Sequence, residues 1–199
     1  KNAAVLGAGT MGNGIAHVFA QSGYQVALFD VSEAALTRAV ATIEKNLERQ
    51  VAKGTLSAAD KDAALARIQT GTSLEAAVAQ ADLVVEAATE NEAVKMKIFE
   101  DLDRLAPAHC ILASNTSTLD VNKIASFTKR PQDVVGMHIQ IGVIDASSQV
   151  GTVFKHHRAA FVLHQFGLGG RLLDDGASRS QVAVQHGNAA LRVDRIGAR

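Results

Sequence analysis

The sequence predicts an α/β protein built on a doubly wound, mainly parallel sheet. Short apolar runs alternate with long amphipathic segments as far as His138. The runs are apolar at nearly every position rather than at alternate ones, which marks strands covered on both faces. The first run also passes through a cluster of glycines directly into a helix-patterned segment.

In chain order, Asn2–Gly7 reads as the first strand and Thr10–Gly23 as the first helix. Tyr24–Asp30 is the second strand. After Ser32, the apolar positions Leu36, Val40, Ile43, Leu47 and Val51 recur at helical spacing until Gly54 supplies a stop. Ser57 with Asp60 has the form of a capping box and opens a further helix. Asp82–Ala87 is the third strand. Thr89 with Glu92 is read as a second capping box, opening a helix that runs to Pro107 with Val94, Ile98, Leu102 and Leu105 on one face. Cys110–Ser114 and Asp133–His138 complete the strands.

Composition narrows the function classes. The chain has 199 residues and is 47% hydrophobic, enough for a sizeable core in one domain or slightly more. Twenty Lys+Arg balance twenty Asp+Glu, so no electrostatic footprint for nucleic acid is expected. No apolar run approaches the roughly 18 residues of a membrane helix. The single cysteine, Cys110, excludes an intrachain disulfide or a multi-cysteine metal site, and no metal is expected. Its apolar run, Cys110-Ile111-Leu112-Ala113, points to a buried strand thiol in a reducing, cytoplasmic setting. The chain enters its first strand at once, so no export signal is expected.

The strongest chemical signal is Gly7-Ala8-Gly9-Thr10-Met11-Gly12 between a strand and a helix. Gly7 permits the tight turn, Gly9 lets the backbone approach a pyrophosphate, and Gly12 allows close packing behind the turn. Backbone N–H groups and the positive end of the helix then hold the phosphates. The next strand ends in Asp30, 18 residues after Gly12. A carboxylate there accepts hydrogen bonds from an adenosine ribose and repels a 2′-phosphate. Val31 and Ser32 follow, with no arginine to receive that phosphate, so the expected cofactor is NAD rather than NADP. The plainer alternative is a glycine-rich turn beside a helix-capping aspartate. Together the pattern is that of a Rossmann-like domain.

Further motifs extend the reading: Asn13-Gly14-Ile15-Ala16 after the glycines, Val84-Val85-Glu86-Ala87 leading into Glu90-Asn91, Ser114-Asn115-Thr116-Ser117, and Gly136-Met137-His138. In order and spacing they resemble the L-3-hydroxyacyl-CoA dehydrogenases, most closely the bacterial 3-hydroxybutyryl-CoA dehydrogenases, over residues 1 to about 138. The resemblance implies that His138 is the general base acting on the 3-hydroxyl of a hydroxyacyl-CoA. Histidine suits that role because its pKa lies near neutrality. It also implies that Ser117 contacts both substrate and the nicotinamide portion, that Glu90 and Lys95 contact the cofactor, and that Lys53 contacts coenzyme A. The plainer roles are a turn serine, a helix-dipole partner, a solvated surface lysine and a helix C-terminal lysine. Ser117 and His138 both follow or end strands, at the carboxyl edge where such sheets bind ligands.

After His138 the family pattern stops. Ile141 stands where the family has asparagine three residues on, and Val150 where it has the glutamate that pairs with the histidine, twelve residues on. Residues 1–138 hold eight Lys, five Arg and eight Glu, whereas 139–199 hold one Lys, six Arg and no Glu. Eight of the sixteen glycines and four of the seven histidines fall in the later segment. The sequence thus divides into a NAD-binding domain, 1–138, and an atypical tail, 139–199, with a strand expected at Ala159–Gln165. The family's helical second domain is not recognisable, which puts a family-type homodimer in doubt. The tail is read as a frame-shifted or unrelated segment, or else as a diverged one. Three functions stay open: NAD-dependent oxidation of a short-chain 3-hydroxyacyl-CoA, a catalytically impaired NAD-binding module, and a related dehydrogenase of a free hydroxy acid.

Overall fold

Strand alternation explains why the apolar runs are continuous. The structure, a computed structural model, describes residues 1–116 and 118–140, the last three as backbone, and the backbone of four later strands. The first strand, β1 (Asn2–Leu6), sends Ala3 and Val5 to one core and Ala4 and Leu6 to another. Strand β4 (Leu83–Glu86) divides Leu83 and Val85 from Val84 in the same way, and β5 (Ile111–Ser114) divides Ile111 and Ala113 from Leu112. Each face must therefore be covered by helices.

Helices α1 (Thr10–Gln21), α2 (Glu33–Ala52) and α3 (Ala58–Ala66) cover one face through Ile15, Phe19, Leu36, Ile43, Leu47 and Ala64. Helices α4 (Leu74–Val78), α5 (Glu92–Leu105) and α6 (Val121–Ala125) cover the other through Val78, Phe99, Leu102 and Ile124. With β2 (Gln25–Phe29), β3 (Ile68–Gly71) and β6 (Val134–Gln140), the strands lie in the order β3-β2-β1-β4-β5-β6, all parallel. The chain leaves β1 towards β2 and β3, then returns to the opposite side of β1 with β4. The order thus reverses between β1 and β4, and a crevice opens there at the carboxyl ends of the strands.

Several local readings hold. Ser57 Oγ accepts from the Asp60 N–H at 3.0 Å and donates to its carboxylate at 2.6 Å, so Ser57 caps α3 with Asp60 as its partner. Gly54, at φ +70°, ends α2 as a left-handed residue that glycine adopts without strain. Others are corrected. The cap of α5 is Asn91, whose Oδ1 accepts from the Val94 N–H at 3.1 Å; Thr89 instead accepts from the Asn91 N–H at 3.0 Å. Its buried face is Lys95, Met96, Phe99 and Leu102, while Val94 is 49% exposed. Of the expected stripe, Leu102 is buried and Ile98 and Leu105 pack partly buried against the same core, so only Val94 falls outside it. Strand β3 and the five-residue helices α4 and α6 have no counterpart in the sequence reading.

Strand β6 does not end at His138 but continues to Gln140, and the sheet goes on beyond it. Strand β7 (Val150–Lys155) runs antiparallel to β6, and β10 (Ala189–Asp194) runs parallel to β7. Strands β9 (Gln181–His186) and β8 (Arg171–Leu173) follow, each antiparallel to its neighbour. The strand expected at 159–165 lies outside the described residues. Among the described residues, no helix is long and apolar enough to cross a membrane.

Candidate functional site

The glycine turn is built as its sequence requires. Gly7 has φ +100°, and a Cβ there would meet Ala87 O and Ala88 Cα at 2.7 Å, so the turn after β1 lies tightly against the segment after β4. A Cβ on Gly12 would meet Gly7 O at 1.7 Å. Gly9, the N-cap of α1, has nothing within 4 Å of its built Cβ and so borders open space. No side chain caps α1 and no acidic residue stands in its first turn. The positive end of the helix dipole is therefore left facing that space, a cradle suited to a pyrophosphate. Ala8, Thr10 and Met11 supply the rest of its backbone.

Asp30 closes the other wall. Its Oδ2 accepts from the Ala8 N–H at 2.8 Å and its Oδ1 from the Ser32 N–H at 2.9 Å. The carboxylate thus ties the end of β2 to the glycine turn before any ligand arrives. Val31 beside it is 85% exposed. The residues present fit a dinucleotide: phosphates on the N-terminal turn of α1 and a ribose at Asp30.

The next two strand ends carry a buried polar cluster that sequence reasoning passed over. Glu86 ends β4 and Ser114 ends β5, in register and both pointing towards α5. Both are fully buried, as is Lys95. Lys95 Nζ forms an ion pair with Glu86 Oε2 and donates to Ser114 Oγ at 3.2 Å; Ser114 donates to Glu86 Oε2 at 3.0 Å. The other carboxylate oxygen accepts from the N–H groups of Ala88 at 3.0 Å and Thr89 at 3.4 Å. Lys95 is therefore not a solvated surface charge. The available signal was an acid closing an apolar strand, since a buried carboxylate requires a cation and donors.

Glu90 is exposed, and its carboxylate accepts from Thr116 Oγ1 at 3.3 Å, linking the segments after β4 and β5. Thr116 Oγ1 in turn accepts from the N–H groups of Thr118 at 3.4 Å and Leu119 at 3.2 Å. Ser117 lies outside the described residues. His138 stands in β6, two residues beyond Gly136, the register partner of Ser114; its side chain is outside the described residues. The glycine turn, Asp30, Glu90, Lys95 and the His138 backbone thus lie along one sheet edge. Lys53 does not join them. It is the exposed C-cap of α2, whose Gln50 meets Gln21 at the far end of α1. An open groove of about 600 Å³ beside α2 is lined by Glu33, Glu44, Thr70 and Thr72, and its two carboxylates make it unsuited to phosphate.

Comparison with known proteins identifies the family. The family described as 3-hydroxyacyl-CoA dehydrogenase, NAD binding domain, matches residues 2–141. The probable 3-hydroxybutyryl-CoA dehydrogenase of Bacillus subtilis is 43% identical over 138 residues, covering 69% of this chain and 48% of that protein. The 3-hydroxybutyryl-CoA dehydrogenase of Bradyrhizobium diazoefficiens is 44% identical over 138 residues, covering 69% and 47%. The chain spans about half the length of these relatives. The crystal structure of 3-hydroxybutyryl-CoA dehydrogenase from Escherichia coli K12 matches with a TM-score of 0.75 and 38% identity, covering 83% of this chain and 35% of that one. The matched span carries the glycine turn, Asp30 and both later strand ends, and the chain belongs to the family of 3-hydroxyacyl-CoA dehydrogenase NAD-binding domains.

Proposed function

We propose that this chain binds NAD across the β1–β4 crevice and belongs to a protein that oxidises a short-chain 3-hydroxyacyl-CoA to its 3-oxo product. The observation that carries the reading is the Asp30 carboxylate bonded to the Ala8 N–H of the glycine turn, beside the open space at Gly9. An anion held there receives ribose hydroxyls and repels a 2′-phosphate. Strand order supports a reading with the adenosine half at β2, the phosphates at β1 and α1, and the nicotinamide half at β4, β5 and β6. When bound, NAD supplies the hydride acceptor. Ser117 and Glu90 follow the strands of the nicotinamide half, and His138 takes the hydroxyl proton. A contact of Lys53 with coenzyme A rests on the family resemblance and concerns the far surface of α2. The buried, unpaired thiol of Cys110 is in keeping with a cytoplasmic setting.

A second reading, NAD binding with impaired turnover, is favoured by strand register. Val153 of β7 stands opposite His138, and β7 reads Val-Gly-Thr-Val-Phe-Lys, with no acid. An imidazole without a carboxylate loses orientation and stabilisation of its charged form, on the order of several kcal/mol in the transition state. Among the described residues the tail contributes strands, which supports a segment distinct from the family's helical domain. Titration with NADH and NADPH, then 3-oxoacyl-CoA reduction, separates the readings. NADH should bind more tightly than NADPH, Asp30→Ala should narrow that preference, and turnover should be low and fall further in His138→Gln. Equal binding of the two cofactors refutes the role of Asp30; full turnover unaffected by His138→Gln refutes the role of the histidine. Turnover of a free acid as readily as its thioester points to the third reading.

A further inference from the structure

We infer that Glu86 is a positioning residue that sets the nicotinamide half of the site, an inference that rests on the dinucleotide reading above. Glu86 touches neither open space nor solvent; it is fully buried at the end of β4. One carboxylate oxygen holds the N–H groups of Ala88 and Thr89 at 3.0 and 3.4 Å. The other is held by Lys95 from α5 and by Ser114 from β5. One side chain therefore fixes the segment after β4 relative to both the next strand and the helix that follows.

That segment is also the wall of the crevice. Ala87 O and Ala88 Cα occupy the space a Gly7 side chain would fill, whereas nothing lies within 4 Å of a Cβ built on Gly9, where the phosphates would sit. Glu90, one residue beyond Thr89, bonds Thr116 after β5. A shift of the 87–89 backbone therefore moves the segments that follow β4 and β5, while Asp30 and its bond to Ala8 lie on the other side of β1. The carboxylate controls one half of the edge and leaves the other half to Asp30.

The test compares NADH with ADP, which carries only the adenosine and pyrophosphate portions. In Glu86→Gln an amide faces the Lys95 ammonium, the anchor is lost, and NADH affinity should fall at least tenfold while ADP affinity changes less than threefold. Glu86→Asp keeps the charge beside Lys95 but withdraws it by one methylene from Ala88 and Thr89. It serves where the glutamine variant does not fold, and should show the same selective loss. Equal losses for the two ligands, or no loss for either, in the folded variant overturn the positioning role, because a purely structural residue weakens both halves alike. A wild-type chain that binds neither ligand overturns the dinucleotide reading itself, and the role of Glu86 with it.

Discussion

Adding one methyl group at Gly9 and at Gly12 should have opposite consequences. At Gly12 the new Cβ would lie 1.7 Å from Gly7 O and 2.8 Å from Gly7 C. Optimal carbon contacts lie at about 3.5–4.0 Å, so α1 and the turn must separate by well over 1 Å. That movement lifts Ile15, Ala16, Phe19 and Ala20 from the core they fill. Overpacking of this kind costs about 1–3 kcal/mol and occasionally more, to which the loosened core contacts add. Alanine recovers about 1 kcal/mol of helix propensity, so overpacking alone leaves a net loss of up to about 2 kcal/mol, with the loosened core contacts in addition. At Gly9, by contrast, φ is −68° and the methyl meets nothing within 4 Å. The reduced chain entropy of the unfolded state, about 0.4–1 kcal/mol, offsets the poorer N-cap, so stability should stay within about 1 kcal/mol of wild type. The methyl does occupy the space proposed for phosphate. NADH affinity in Gly9→Ala should fall at least tenfold, about 1.4 kcal/mol. Urea unfolding gives the stabilities, and NADH fluorescence titration gives the affinities. A Gly12→Ala chain as stable as wild type refutes the close contact; a Gly9→Ala chain that binds NADH normally refutes the cradle.

Two further outcomes follow from buried polar groups. Gln21 donates to Gln50 Oε1 at 2.7 Å, the Gln50 amide nitrogen lies 3.4 Å from His17 Nε2, and His17 Nδ1 is buried without a hydrogen-bond partner among the described residues. Burial, only partly opposed by Gln21, lowers the His17 pKa from 6.5 to about 4. The unfolded chain therefore binds the extra proton between these values. His17 should remove about 3 kcal/mol of stability as pH falls from 6.5 to 4, a slope that His17→Leu abolishes and that equal slopes in both chains would contradict. Arg130 donates to the carbonyls of Leu102, Asp103, Ala106 and Pro107 at 2.6–3.2 Å and pairs with Asp103 at 3.2 Å, closing the end of α5. Arg130→Met should cost about 3–5 kcal/mol in urea unfolding, with little recovery in Arg130→Lys, whose single ammonium cannot span the same carbonyls. A loss under about 1 kcal/mol, the usual worth of an exposed pair, refutes this capping role.

Whatever depended on neighbours in the chain was legible in the amino-acid sequence. The five strands predicted up to His138, the long helices, the stop at Gly54 and the glycine turn each have a local cause: a period, a left-handed backbone, or a Cβ that has no room. Asp30 was legible because it stands at a fixed place, the end of the strand after that turn. Elements with little periodicity escaped. Strand β3 is a mostly exposed edge, and α4 and α6 have five residues each, too few to show a stripe. The polar cluster under the site needed the tertiary structure. Glu86 and Ser114 are 28 residues apart and meet only because β4 and β5 pair in register. Lys95 then turns inwards beside the apolar Met96 and Phe99 because a buried carboxylate must be neutralised. Lys53 is the converse case. The family resemblance implied a coenzyme A contact for it, but the length of α2 carries it to the far end of α1, since a helix of 20 residues spans about 30 Å. Sequence determined which groups the chain offers; the register of distant strands and the requirement to satisfy buried charge decided which of them meet.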